Sequence, residues 1–309
     1  FTNRDAKYQI TVEANSGTVK YDGTRQTVSG LKSSTFEIEE KTYTVSGLTA
    51  EGSGRDAGEY GVDITGTAIV TDADGNDVTA QFAVKAVGGL LTITRRDVVM
   101  ISGTASKVYD GNALTDTDIT ISGDGFVQGE GAGYQVTGSQ TLVGSSKNTF
   151  LYKLDEGTRA NNYNILKTEG TLSIYDRTAK YQITLVANNV TERYDGTEKT
   201  NTGFKTRTFE INGNTYTVLG LKSEAKGTDA GKYYTTITGT PVVCDAAGND
   251  VSRQFLVTAV PGVLTITTRE ITLISASDSK EYDGEPLTND QVTVGGDGFA
   301  QGEGAQYDV

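Results

Sequence analysis

The 309-residue sequence has no histidine, no tryptophan, one cysteine, one methionine and three prolines. Without histidine, Ser-His-Asp and Cys-His machinery and the commonest zinc sites are excluded. The missing tryptophan weakens a sugar-stacking platform. A single Cys244 cannot form an internal disulfide, and cysteine scarcity fits a cytosolic protein and a bacterial exoprotein equally. No run of about 18 apolar residues exists, so no membrane-spanning segment is expected. Basic residues are outnumbered, 27 against 40 acidic ones, for a net charge of −13. Such a balance repels nucleic-acid phosphates and anionic headgroups, which excludes nucleic-acid binding and membrane insertion. The chain opens at Phe1 without an initiator Met, a charged n-region or an apolar h-region, so an internal stretch of a longer polypeptide is expected.

What is present is repetition. Residues 1–136 and 174–309 align at a constant offset of 173 without insertion or deletion. Tyr21-Asp22-Gly23 returns as Tyr194-Asp195-Gly196, Asp56-Ala57-Gly58 as Asp229-Ala230-Gly231, and Gly129-Glu130-Gly131 as Gly302-Glu303-Gly304. Tyr-Asp-Gly also occurs at Tyr109-Asp110-Gly111 and Tyr282-Asp283-Gly284. Each 173-residue period therefore holds two units, and the order reads A (1–95), B (96–176), A′ (177–268) and a partial B′ (269–309). Cys244 aligns with Thr71, so the thiol is incidental to the repeat. A tandem array multiplies length, stiffness or weak binding rather than building one catalytic centre.

Each unit reads as β. Tyr8, Ile10 and Val12 alternate with polar residues, as do Tyr60, Val62 and Ile64, then Phe82 and Val84, then Leu91 and Ile93. Asp22-Gly23, Asp74-Gly75-Asn76-Asp77 and Asp195-Gly196 accept the positive φ of tight hairpin turns. Short strands with frequent turns predict an all-β fold, a tandem array of small antiparallel sandwiches of Ig-like or Greek-key type. Thr94-Arg95-Arg96-Asp97 and Tyr175-Asp176-Arg177 are too short, and too poor in Gly and Pro, to be flexible linkers. They predict an elongated, stiff rod.

The candidate sites are mainly structural. The Tyr-Asp-Gly set (Tyr21, Asp22, Gly23, Tyr109, Asp110, Gly111, Tyr194, Asp195, Gly196, Tyr282, Asp283, Gly284) reads as a turn preceded by a ring that covers the end of a small core. Asp72, Asp74 and Asp77 resemble a calcium loop, but Ala247 replaces the Asp74 carboxylate in the second copy and a hairpin turn is the default. Gly123-Asp124-Gly125 and Gly129–Gly133 lack a following helix or Lys and carry acids that oppose phosphate, so they read as a mobile or bulged loop. Lys7 and Lys180, with Asn76 and Asn249 and with Glu37 and Glu210 between them, are candidates for Lys–Asn isopeptide bonds. No cofactor, metal or catalytic residue is assigned.

Lys107–Thr115 and Lys280–Thr288 (Lys-x-Tyr-Asp-Gly-x-x-Leu-Thr), Asp56–Tyr60 and Asp229–Tyr233 (Asp-Ala-Gly-x-Tyr), and the Gly-Asn-Asp-Val before a closing Gly-x-Leu-Thr-Ile strand resemble the MBG and YDG-type repeat modules of large bacterial surface proteins. The resemblance implies an extracellular, often wall-attached β-stalk without catalytic residues. The leading expectation is a non-enzymatic spacer of a surface adhesin or fibre that projects a distal functional domain, its partners being its own neighbouring modules. The alternatives are repeated adhesin modules that bind a host glycan or protein by avidity, and a fibre that self-assembles by strand exchange with a neighbouring chain at residues 270–309.

Overall fold

A computed structural model describes Thr2 and residues 5–308. Among the described residues the chain is all-β, with three single-turn 3₁₀ segments. It divides into two compact units: Phe1–Ala105, Leu114–Gln140 and Ser145–Ser173 form one, and Ser106–Ala113, Thr141–Gly144 and Ile174–Val309 the other.

In the first unit a long hairpin dominates A. Strands Lys41–Gly54 and Gly58–Thr71 pair antiparallel, with a register shift between Ser46 and Leu48. Gly47 sits at that shift with φ +75°, and a Cβ on it would fall 2.2 Å from the Thr67 carbonyl oxygen, so only glycine fits. Gln26–Ser29 and Thr35–Ile38 pair antiparallel with the first long strand, and Gly89–Thr94 with the second. Gly17–Lys20 then lies parallel to Gly89–Thr94, and Tyr8–Glu13 lies parallel to Phe82–Val87. In B, Arg96–Ser102 takes Ile119–Gly123 antiparallel and Tyr163–Thr168 parallel, while Ala132–Val136 pairs with Phe150–Leu154.

These parallel pairs correct the expectation of purely antiparallel modules. Parallel strands need a long crossover, and here the hairpin and its edge strands supply it between residues 13 and 82. For the same reason Asp22-Gly23 is not a hairpin turn: Gly17–Lys20 and Gln26–Ser29, on either side of it, pair with different strands.

Among the described residues of this unit two apolar clusters form. One gathers Ile10, Val12, Val45, Val70 and Phe82. The other joins Tyr21, Val62, Leu91 and Ile93 of A to Val98, Met100, Phe150 and Tyr163 of B, so the two modules share one apolar cluster. Only Arg95 separates the last strand of A from the first of B.

The second unit rebuilds A as A′ in the same register: Tyr181–Val186 lies parallel to Phe255–Val260, Val190–Arg193 parallel to Val263–Thr267, and Asn214–Gly227 antiparallel to Thr236–Asp245. In B′, Ile271–Ser275 pairs antiparallel with Val292–Gly296. No third strand adjoins Ile271–Ser275 among the described residues, so Ile271 and Leu273 are 39% and 49% exposed, where the corresponding Val98 and Met100 of B are fully buried.

Candidate functional site at the module junctions

Tyr21 leaves strand Gly17–Lys20 with its backbone N–H donated to Thr94 O at 2.9 Å, which sets its ring in the shared core. There its hydroxyl donates to Glu130 Oε1 at 2.5 Å, and the Tyr163 hydroxyl donates to Glu130 Oε2 at 2.7 Å. The two rings meet edge to face, 5.7 Å apart, and Phe126 packs on Tyr163 at 5.0 Å. One carboxylate of B therefore ties a tyrosine of A to a tyrosine of B. Burial, followed by the hydrogen bond to Glu130 and its charge, pushes the Tyr21 hydroxyl up to about 12. Tyr163 is raised for the same leading reason, burial, with Glu130 adding to it.

The loop that presents Glu130 lies between strands, as expected, and is hydrogen-bonded through its backbone. Arg96 donates to the carbonyls of Gly125 at 2.9 Å, Asp124 at 2.5 Å and Tyr21 at 3.4 Å. The Asp124 carboxylate accepts the Asp97 N–H at 2.9 Å and the Lys20 ammonium at 2.7 Å. Gly131 N–H donates to Thr158 Oγ1 at 2.9 Å. Beside this latch Asp56 accepts from Asn162 Nδ2 at 3.0 Å and Arg159 at 2.5 Å, while Asn162 Oδ1 accepts the Ala57 N–H at 2.8 Å. The Asn162 amide and then Arg159 hold the Asp56 carboxyl below its ordinary range. A cleft of about 260 Å³ lies over Tyr21, Asp56, Glu130 and Arg159.

The second copy repeats the part of the arrangement that its described residues include. Tyr194 donates to Glu303, Arg269 donates to Gly298 O at 2.7 Å and Tyr194 O at 3.2 Å, and Arg193 pairs with Asp297 in the place of Lys20 and Asp124.

The Tyr-Asp-Gly turn of B serves another junction, within the second unit. Tyr109 is buried, its N–H donates to Tyr175 O at 2.9 Å, and its carbonyl accepts from Arg177 at 3.0 Å. Arg177 also lies 4.0 Å over the Tyr181 ring of A′. Gly111 has φ +87°, and a Cβ there would fall 2.2 Å from the Tyr216 hydroxyl of A′. Asn214 Nδ2 donates to Asn112 Oδ1 at 3.1 Å. Gln254 closes the contact, accepting the Arg177 N–H at 2.9 Å and donating to Asp176 at 2.5 Å. Burial, with the Tyr216 hydroxyl next in weight, raises Tyr109.

Three of the four predicted turns therefore meet the module that follows: Gly23 faces Val127, Gly111 faces Tyr216, and Gly196 faces Ala300 and Glu303. Tyr282 of the fourth turn is 98% exposed. Sequence reasoning did not identify Glu130, Arg96, Asp124 and Asn162 as partners; the available signal was that the first three recur as Glu303, Arg269 and Asp297.

The other candidates are not brought together. Asp72 accepts the Asn76 N–H at 2.8 Å and its side-chain amide at 3.0 Å, and Asp77 accepts the Thr79 N–H at 2.9 Å, so both carboxylates are turned onto backbone. Among the described residues no three acidic or thiol side chains cluster as a metal site. Lys7, Lys180, Glu37 and Glu210 are exposed, and Asn76 and Asn249 are bonded within their own turns to Asp72 and Asp245. A buried Lys–carboxylate–Asn arrangement is thus not formed by them. Cys244 is half-buried at the end of strand Thr236–Asp245.

Compared with known protein families the chain matches none, and no curated protein matches it.

Proposed function

We propose that this chain is a non-enzymatic spacer: tandem β-modules, with a tyrosine–glutamate contact from each A-type module to the B-type module after it, that lengthen the stalk of an extracellular bacterial surface adhesin or fibre and project a distal functional domain. The observation that carries the reading is Glu130 bridging Tyr21 and Tyr163, with the Tyr21–Glu130 half of the bridge repeated by Tyr194 and Glu303. Among the side chains that recur between copies, Tyr21, Glu130, Arg96 and Asp124 and their counterparts Tyr194, Glu303, Arg269 and Asp297 take part in junction contacts. A shared apolar cluster and a one-residue connection at the first junction oppose hinge motion, and net negative charge discourages collapse. The MBG and YDG resemblance supports the surface setting.

Repeated adhesin modules would offer one aromatic groove in both A and A′. Instead Tyr43 is half-buried in A while its counterpart Tyr216 is buried, which weighs against the avidity reading.

Small-angle X-ray scattering of the whole chain at low concentration tests the spacer. Modules that each add about ten extended residues along the axis give a maximum dimension of roughly 120 Å. A compact particle, with a radius of gyration near 19 Å for a chain of this length, overturns it.

A further inference from the structure

The long hairpin is built differently in A and A′. In A a Cβ on Gly52 would fall 2.2 Å from the Gly61 carbonyl oxygen, so only glycine lets the two strands close there, and the second strand runs unbroken over Gly58–Thr71. In A′ the matching residues are Ala225 and Tyr234. The alanine methyl excludes that approach, and the second strand is split into Gly231–Tyr234 and Thr236–Asp245. At the split lies a groove of about 500 Å³ bounded by Lys222, Lys226, Tyr233, Tyr234, Thr236 and Thr238, with Glu224 between the two lysines.

This face lies away from the junctions. The turn of B meets the other end of the strand Asn214–Gly227, at Asn214 and Tyr216. In A, which a complete B follows, Thr49, Glu51, Gly61 and Asp63 match Lys222, Glu224, Tyr234 and Thr236 and are exposed as well, so the exposure does not depend on where B′ stops.

Charge and an exposed ring identify the ligand class. On this face A carries Arg25, Glu51, Glu59 and Asp63, one base among acids, whereas A′ carries Glu198, Lys222, Glu224, Lys226 and Lys232, in which bases prevail. The sign is reversed within a chain of net charge −13. Lys226 meets Glu224 at 3.4 Å and Glu198 at 3.9 Å, exposed pairs of the kind that contribute little in water. Lys222 and Lys232 are exposed, and Tyr234 is 72% exposed. The backbone beside the ring is already paired, Lys222 with Thr238 and Glu224 with Thr236, so an extended peptide gains no ladder there. Recognition falls to a ring, hydroxyls and ammonium groups. An aromatic face for the apolar side of a sugar, with ammonium groups for its acid, fits an acidic saccharide.

We propose that the A′ groove binds an acidic saccharide, its ring stacked on Tyr234 and its carboxylate or sulfate held by Lys222. A does not share the site, because Gly61 supplies no ring and Thr49 no charge. The inference goes beyond the spacer reading and does not rest on it.

Isothermal titration of the intact chain at low salt, with an oligogalacturonate and with a sulfated oligosaccharide, tests the proposal, and the tighter of the two assigns the acid. The expected result is saturable binding that added salt weakens. K222E and Y234A, both at exposed positions and each checked for fold by circular dichroism, weaken it about ten-fold or more, while T49E, at the matching position of A, leaves it unchanged. No binding of either probe, affinity unmoved by K222E or by Y234A, or an equal loss in T49E overturns the proposal. Oligoglutamate bound as tightly as the saccharides overturns it in favour of an acidic peptide.

Discussion

The hydroxyl of Tyr21 donates to Glu130 across 109 residues of sequence, and Tyr194 and Glu303 form the same pair at the same separation. A hydrogen bond to a charged acceptor contributes about 1.5–3 kcal/mol, and Glu130 holds Tyr163 as well. Tyr21→Phe keeps the ring in the shared core and deletes only the hydroxyl. It is expected to lower stability by about 1.5–3 kcal/mol in urea denaturation. Glu130→Gln retains shape and loses charge, and the double variant should cost less than the two single changes together, with a coupling of about 1 kcal/mol. Additive losses would show that the two groups do not act as one latch.

The latch also sets an alkaline limit. Tyr21 is raised to about 12, and Tyr163 and Tyr109 are raised as well, each chiefly by burial. A raised folded value means that the native state holds a proton the unfolded chain releases near pH 10. Stability is therefore complete below pH 10 and falls as pH rises toward 12. Tyrosinate absorbance should show these buried tyrosines ionising together with unfolding, and Tyr21→Phe should reduce the pH dependence. At the acid end Asp56 is lowered, mainly by Asn162, so its contribution is present above the ordinary carboxyl value and is lost as pH falls below it.

The β character and the repeat were legible because period-two alternation and turn residues are local signals. Parallel pairing was not: Tyr8 and Phe82 are partners 74 residues apart, and alternation looks the same in either direction. The Tyr-Asp-Gly motif could be recognised as structural, yet its partner could not be named. A glycine-rich loop such as Gly123–Gly133 has the same composition whether it is free or held through its carbonyls by an arginine. Arg96 decides between them, and its role exists only once Tyr21, Asp124 and Gly125 have been brought around it.

Gly111 and Gly284 share a motif and a φ of +87°, and differ in what surrounds them. Alanine at either position carries a left-handed penalty of about 1–2 kcal/mol. At Gly111 the new Cβ also falls 2.2 Å from the Tyr216 hydroxyl and 2.8 Å from Asn214 Nδ2. Gly111→Ala is therefore expected to destabilise the chain clearly more than Gly284→Ala in thermal or chemical denaturation. Equal losses would mean that the turn of B does not bear on A′.

Arg96 positions the latch without belonging to it, so its removal should act on the loop first. Its guanidinium holds the carbonyls of Asp124 and Gly125 from one side, and Tyr21 O from the other. Lysine cannot reproduce this planar fork, so Arg96→Lys retains the charge but not the geometry. In amide hydrogen exchange both Arg96→Lys and Arg96→Ala should deprotect Glu130, whose N–H is bonded to Val127 O at 3.0 Å, and Asp124, whose N–H is bonded to Asp97 O at 2.7 Å. Protection of the hairpin strand Lys41–Gly54, which pairs with Gly58–Thr71 over residues 44–51 and with edge strands at its two ends, should be unchanged. Loss of protection in the hairpin as well would place Arg96 in the global fold rather than in the latch, whereas selective loss at Asp124 and Glu130 would show that the junction opens as a local unit.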